Sequence, residues 1–353
     1  MLIKQATKTI IIGGGLSGLL TAYRLHQKGQ EAIILEASDR LGGRIKTIHS
    51  ENGTPLEMGA TWFTSQHLQL IQLIRELGLK GFRQFSKGPL FFQATPTTPP
   101  QKFELPPQDA SYRIAGGTAQ LIKKISQQLP KENILLNEKV ESIDFTDNEI
   151  CIVKTKQYEF TCQKVVSSLP PALFAQSIKL SPSLKSDVKA FFEDTHTWMH
   201  DAIKVGITYQ KAFWKANKMS GMFFSNNGPI AELHDHCNAK ENRFALVGFI
   251  HPSFQDFSKE EREKVVIKQL KSAYGEEANH YLQYNENLWL DNELTSDGQY
   301  QDLVPHQNNG EPLLQQPLFN KRLFIVSTES SPHFGGYLEG AVYRANFVAE
   351  ELL

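Results

Sequence analysis

Gly13, Gly15 and Gly18 stand at G-x-G-x-x-G spacing within TIIIGGGLSGLLTAYRL, residues 9–25. The chemistry this spacing serves is capture of a pyrophosphate. The first glycine permits a tight turn, the second lets backbone approach the phosphates, and the third lets a helix pack closely on a strand. Amides at the start of that helix, at Leu16 and Ser17, then meet the negative charge. Glu36 ends EAIILE about 20 residues on, where a carboxylate takes ribose hydroxyls, with Ala37 beside it. Arg40, Gly42, Gly43 and Arg44 in EASDRLGGRIKT form a second glycine turn flanked by two guanidinium groups. Such a turn suits a pyrophosphate carried deep into the protein. Together these residues point to a bound dinucleotide.

The elements that must position them are legible from periodicity. TIII is a short, β-branched buried strand; Leu16, Leu19, Leu20 and Tyr23 recur at helical spacing up to about Gly29; EAIILE is a second strand. This is a β-α-β unit whose first turn is the glycine cluster. Further helices are expected at 66–77, closed by Gly78, and at 118–129, closed by Pro130. Between them GPLFFQATPTTPPQKFELPPQ is proline-rich and is expected to be an irregular crossing rather than a core element. Strands are expected at KVESIDF, EICIVK, YEFTC and KVVSSL, the last running into Pro170 and Pro171, where the chain leaves the first domain. AIKVGITY and FALVGFI also read as strands, and Ser258 with Glu261 makes a capping box for EEREKVVIKQLKSA. The chain closes with the strand RLFIVS and a helix from about Tyr337.

With 353 residues, 40% hydrophobic and 21% charged, the sequence has the balance of an ordinary globular protein. A net charge of −1 exerts no overall pull toward nucleic acid or an anionic membrane. No apolar run approaches the ~20 residues of a membrane span. Removing the first segment as a signal peptide would destroy the glycine cluster, so a soluble, cytoplasmic protein is expected. Three cysteines, Cys151, Cys162 and Cys237, are too sparse for a disulfide framework. A hairpin turning at 156–157 would set Cys151 opposite Cys162, both reduced. HDHC at 234–237 has ligand-type residues without a second pair at zinc-finger spacing, and His196 with His200 lacks the H-E-x-x-H pattern. No metal is expected.

The extended E-x-x-x-R-x-G-G-R after the glycine fingerprint resembles the flavin-containing amine oxidase superfamily, which includes monoamine and polyamine oxidases. The resemblance implies FAD and runs in patches over most of the chain. LEMGATWF looks like the family's segment beside the isoalloxazine, nearest the polyamine-oxidase form, placing Gly59, Ala60, Thr61 and Trp62 at the cofactor. YRIAGGTAQLIKKI is similar to the family's Gly-Gly turn before a helix, and VVSSLPPAL to its crossover strand. In NEKVESID, Val140 matches the valine that holds the adenine through backbone groups. IKVGITYQKAFW matches the family's lysine nine residues before a Phe-Trp pair, here Lys204 with Phe213 and Trp214. That match implies that Lys204 hydrogen-bonds a water at the flavin N(5). The closing motif FIVSTESSPHFGGYLEGAVYRANFVAEEL implies that Thr328 and Glu329 touch the ribityl-phosphate part. It also puts Gly336, Tyr337 and Leu338 at the cofactor, with Tyr337 facing the substrate. The helix opening there would aim its amides at the flavin C(2) carbonyl, stabilising the anionic reduced ring.

The chemistry so implied removes a hydride equivalent from the carbon beside a neutral amine; the imine hydrolyses, and dioxygen reoxidises the flavin to give hydrogen peroxide. Tyr300, in LTSDGQY, is the expected second ring beside the amine. Gln299 stands where monoamine oxidases carry the cysteine bonded to flavin, so FAD is expected to be non-covalent. Ser327 replaces the family's usual glycine. Two alternatives remain: dehydrogenation or isomerisation of a non-amine molecule on the same scaffold, and a flavin-bound interaction module with little turnover. Lys204 and the tyrosine pair favour amine oxidation. The bland readings are a solvent-facing Lys204, a packing Tyr337, Trp62 and Phe63 as core, and Phe213 and Trp214 as packing residues. The expected fold is α/β. A Rossmann-like, glutathione-reductase-type FAD domain is assembled from 1–80, 112–172 and 290–353, and a reduced α+β substrate domain from 81–111 and 173–289. The substrate domain is reduced because the chain is shorter than the usual amine oxidase.

Overall fold

In the computed structural model, which describes residues 2–95, 97–105, 109–226, 228–296 and 303–353, the TIII segment is the middle of a five-stranded parallel sheet. Its order is Ile134–Leu135, Ala32–Leu35, Thr9–Ile12, Lys164–Ser167 and Leu323–Ile325. A parallel sheet is covered on both faces, which is why these strands read as continuous aliphatic runs rather than alternating ones. Ile11 and Val166 face the helices Leu16–Gln27, Ala119–Ser126 and Leu338–Glu351. Ile10, Ile12 and Val165 face a second sheet through Val153 and Phe160, with Phe174 of the helix Pro171–Ser177 in the same core.

That second sheet runs Ile3–Ala6, Tyr158–Cys162, Cys151–Thr155, Val140–Asp144 and Lys179–Ser181. Cys151 lies opposite Cys162, and both are buried free thiols. The Ile3–Ala6 strand is exposed at all four residues and pairs only along one edge, so no burial pattern announces it in the sequence.

A seven-stranded sheet is the largest: Tyr281–Leu288, Ile203–Tyr209, Phe244–Ile250, Ile230–Asp235, Phe223–Ser225, Leu90–Gln93 and Gln101–Phe103. The 16-residue helix Lys259–Tyr274 packs on it through Val266, Ile267 and Leu270, and its reciprocal Ser258–Glu261 capping box is formed. Here the proline-rich segment departs from expectation. Leu90–Gln93 and Gln101–Phe103 are an antiparallel pair in this sheet, with Leu90 and Phe91 buried. Pro99 and Pro100 precede the second strand instead of interrupting it, so the missing amides cost no ladder bond. Leu56 and Met58 seat the short strand Pro55–Glu57 against Ala245 and Val247 of the large sheet. A Cβ at Gly206 would lie 2.7 Å from the Met58 methyl, so any larger residue there would push that side chain aside. Among the described residues no helix is long and apolar enough to cross a membrane.

Candidate active site

One cavity of about 450 Å³ extends from Glu36 and Val140 at one end to Trp62, Lys204 and Tyr337 at the other. Its dinucleotide end is built by the two glycine turns. Gly13 adopts φ +97, and a Cβ there would collide with the Ser168 hydroxyl. A Cβ at Gly18 would strike the carbonyl oxygen of Gly13, so the helix lies directly on the turn. Gly15 caps Leu16–Gln27 without a side-chain cap, and the first turn holds no acidic residue. An anion is the complement such a helix end lacks. The second turn is stapled to the first: Gly42 N–H donates to the Gly14 carbonyl at 2.8 Å. Arg40 braces that turn from within, donating to the carbonyls of Gly43 at 2.8 Å and Ile45 at 3.1 Å.

Glu36 is buried and accepts from the amides of Gly14 at 2.5 Å and Ser38 at 2.8 Å. Burial raises its pKa, opposed by those amides and by Arg40. Arg44 makes a forked pair with the fully buried Glu329, at 2.6 and 3.0 Å. Glu329 therefore anchors Arg44 from behind the cavity wall. Ser327, where the resembling family has glycine, has φ −58 and ψ 153, an ordinary extended geometry that places no demand for glycine.

At the other end Lys204 is 2% exposed. Its Nζ donates to Thr61 Oγ1 at 3.1 Å and lies 4.7 Å from the Trp62 ring centre and 4.3 Å from that of Phe249. Burial lowers its pKa to about 8, with Glu57 and then Glu232 working the other way. Strand register explains the company it keeps: Lys204 sits opposite Asn287 and Phe249, and Phe249 sits opposite Glu232. Cross-strand partners share a face, so all four point to one side of the sheet.

Glu57, fully enclosed, accepts from the Thr118 amide at 2.6 Å and Thr47 Oγ1 at 2.9 Å, and burial pushes its pKa up to about 7. The folded state then holds a proton on Glu57 that the unfolded chain has lost between pH 4.5 and about 7. This group's contribution to stability is therefore present at low pH and falls as pH rises through that window. Glu57→Gln is expected to match the parent near pH 4.5 and exceed it at pH 8 by up to about 3 kcal/mol. Urea titrations at the two pH values check this; a variant equally destabilised at both contradicts it.

Tyr337 is the N-cap of Leu338–Glu351 and is 41% exposed. Its carbonyl accepts from Thr328 Oγ1 at 2.7 Å. Gly336 has φ +87, and a Cβ there would lie 2.7 Å from that of Trp198. The Tyr337 ring stacks with His306, centroids 5.5 Å apart, and His306 stacks on Trp198 at 4.1 Å.

The structure brings together on the cavity wall Gly13, Gly15, Leu16, Ser17, Glu36, Ala37, Arg40, Gly42, Gly43, Arg44, Gly59, Ala60, Thr61, Trp62, Val140, Lys204, Thr328, Gly336, Tyr337 and Leu338. Gly18 and Glu329 support it from behind. Tyr300 and Gln299 lie outside the described residues. Sequence reading missed Trp198, Glu232, Phe249 and Trp289, which line the same cavity; register across distant strands, not local spacing, puts Glu232 and Phe249 there. Phe213 and Trp214 are core residues, Trp214 donating to Asp235 at 2.8 Å. In HDHC, strand alternation turns His234 toward Trp62 and Asp235 toward Trp214. His196 and His200 are buried packing rings, 5.5 Å apart.

Paired glycine turns on a parallel sheet, joined by one cavity to an enclosed lysine among aromatic rings, define a dinucleotide-dependent oxidoreductase. The model of the flavin-containing amine oxidoreductase family matches residues 16–109 and 88–353, and the chain belongs to that family, whose cofactor is FAD. It is similar to the flavin-containing amine oxidase A of Sus scrofa, 24% identical over 452 residues covering 98% of this chain and 84% of that protein. It is also similar to amine oxidase B of Mus musculus, 24% identical, covering 99% and 87%. Among solved structures it resembles putrescine oxidase bound to putrescine, with TM-score 0.86, 18% identity and 99% of each chain covered. Cyclohexylamine oxidase from Brevibacterium oxydans IH-35A gives TM-score 0.83 at 20% identity, covering 98% and 99%. These structures share the fold.

Proposed function

We propose that this enzyme oxidises a small primary or secondary amine to an imine, with dioxygen as acceptor and hydrogen peroxide as by-product. The observation that carries the reading is the buried Lys204 ammonium at the far end of a dinucleotide cavity, among Thr61, Trp62 and Phe249. The amine oxidases named among its relatives and structural neighbours support it. The cavity fits FAD: an uncapped helix end and glycine turns suit its pyrophosphate, Glu36 its ribose, and Val140 its adenine. FAD, held without a covalent bond, supplies a two-electron acceptor when bound. Domain pieces 1–80, 112–172 and 290–353 would hold it, and 81–111 with 173–289 would cover the substrate.

The chain's own residues do the rest. Trp62, Phe249 and Tyr337 give the amine an apolar approach that favours its neutral, oxidisable form. Lys204 Nζ, lowered toward neutrality near pH 8, orients a water and takes or returns a proton there. The N-terminus of Leu338–Glu351, at the cavity beside Tyr337, places its positive end where charge develops.

The test is an anaerobic panel of primary and secondary amines, read as loss of the oxidised flavin's visible absorbance, followed by peroxide detection on admitting air. A flavin that stays oxidised with every amine refutes the reading. Acid precipitation of the same protein is expected to leave all colour in the supernatant, and a yellow pellet contradicts non-covalent attachment.

A further inference from the structure

We infer that Cys151 and Cys162 are an oxidisable dithiol, which hydrogen peroxide, the proposed by-product of turnover, converts to a disulfide across the hairpin Cys151–Thr155 and Tyr158–Cys162. The two residues are direct partners in an antiparallel register. Such partners have Cα atoms roughly 4.5–5.5 Å apart, inside the range of about 4.4–6.8 Å that a disulfide spans. Cross-strand partners also point to the same face, and both side chains enter the core shared with Ile10, Val153 and Val165. The thiols meet there: Cys162 donates to the Cys151 sulfur, and Cys151 Sγ lies 3.7 Å from the Gln163 carbonyl oxygen. The backbone already stands at bonding separation.

The pair is also chemically asymmetric, as thiol oxidation requires. The hydrogen bond from Cys162, then the Arg322 guanidinium and the Lys164 ammonium, lower the Cys151 pKa against the effect of burial. Cys162, the donor, is pushed the other way by Cys151 and by burial, and keeps its proton. At Cys237, the third thiol, burial and the Asp235 carboxylate raise the pKa. Cys151 and Cys162 are buried at the open end of their hairpin, where the next residue on either strand, Ile150 or Gln163, is exposed. Strand ends open locally before a core does, and that admits an oxidant the size of peroxide. The Cys151 thiolate attacks one peroxide oxygen and breaks the O–O bond; hydroxide leaves, takes up a proton as water, and Cys151 becomes a sulfenic acid. The Cys162 sulfur then attacks Cys151, gives up its proton and expels the sulfenic oxygen as a second water. Two thiols lose two electrons, and one peroxide is reduced to two waters. The new bond fastens a hairpin whose first strand also pairs with Val140–Asp144, the strand that opens at the cavity's adenine end.

The test uses the FAD-loaded protein, with hydrogen peroxide added in the absence of amine. Thiols titrated after denaturation are expected to fall from three to one, and peptide mapping is expected to join Cys151 to Cys162 within one chain. The oxidised protein is expected to unfold at a higher urea concentration than the reduced one, a difference that a thiol reductant abolishes. In Cys162→Ser, Cys151 loses its resolving sulfur, so a dimedone-reactive sulfenic acid is expected there and no disulfide. Three thiols remaining after peroxide, loss confined to Cys237, or a bond between chains overturns the proposal. The parent protein alone decides this, whether or not Cys162→Ser folds. During amine turnover in air the disulfide is expected to accumulate, and added catalase to prevent it. If no amine is turned over yet added peroxide closes the bond, the oxidase reading fails and the dithiol stands; if amine is turned over and all three thiols persist without catalase, the dithiol fails.

Discussion

Lys204→Met is expected to give a yellow protein that binds FAD as the parent does but is reduced by its amine about 10²- to 10⁴-fold more slowly. Methionine fills nearly the same volume against Trp62 and Phe249, so packing is conserved while the ammonium beside Thr61 disappears. Stability moves the other way. Because burial lowers the Lys204 pKa to about 8, the folded state binds fewer protons than the unfolded chain between about 8 and 10.5. This residue therefore costs stability below pH 8, and the cost fades as pH rises through that window. The variant loses that rise and is more stable than the parent at pH 7, as expected when an apolar side chain replaces a buried charge. Anaerobic stopped-flow reduction and urea titrations at pH 7 and 10 read the two effects. Unchanged reduction kinetics would remove Lys204 from the reaction.

Two alanine substitutions in the first glycine turn are expected to part company. At Gly15 an added Cβ meets nothing within 4 Å, and φ is −72, comfortable for any residue. Gly15→Ala is thus expected to keep the stability of the FAD-free protein, yet to weaken FAD binding about 100-fold by occupying the space the pyrophosphate needs. At Gly18 the added Cβ collides with the Gly13 carbonyl oxygen, a backbone atom that cannot yield as a flexible side chain would. Gly18→Ala should lose roughly 1–3 kcal/mol of stability with or without FAD, and cofactor binding besides. Thermal unfolding of both proteins and a flavin-fluorescence titration distinguish the cases. A Gly15→Ala protein that binds FAD normally would place the pyrophosphate elsewhere.

Both substitutions sit where the sequence was most legible, and for one reason. The glycine turns, Glu36, the Arg40–Arg44 turn and the Lys204 strand are each local patterns whose meaning depends on spacing along the chain. Glu232 and Phe249 are different: each is an unremarkable strand residue until pairing sets it beside Lys204, a relation between segments tens of residues apart. Trp198 is likewise found only through its ring contacts with His306 and Tyr337. Composition misled at the proline-rich segment because proline was weighed without its position; those described there stand outside the two strands. The exposed strand Ile3–Ala6 gives no hydrophobic alternation, so periodicity has nothing to read.

The clasp between Arg44 and Glu329 joins residues 285 positions apart, and the closing helix packs against the first one. On a growing chain, the glycine turns leave the ribosome long before the segment that completes their cavity. The wall of that cavity is consequently complete only once Thr328–Ala341 have been made. A chain that stops before Thr328 lacks Glu329, Tyr337 and Leu338, and leaves both Arg44 and that side of the cavity without cover.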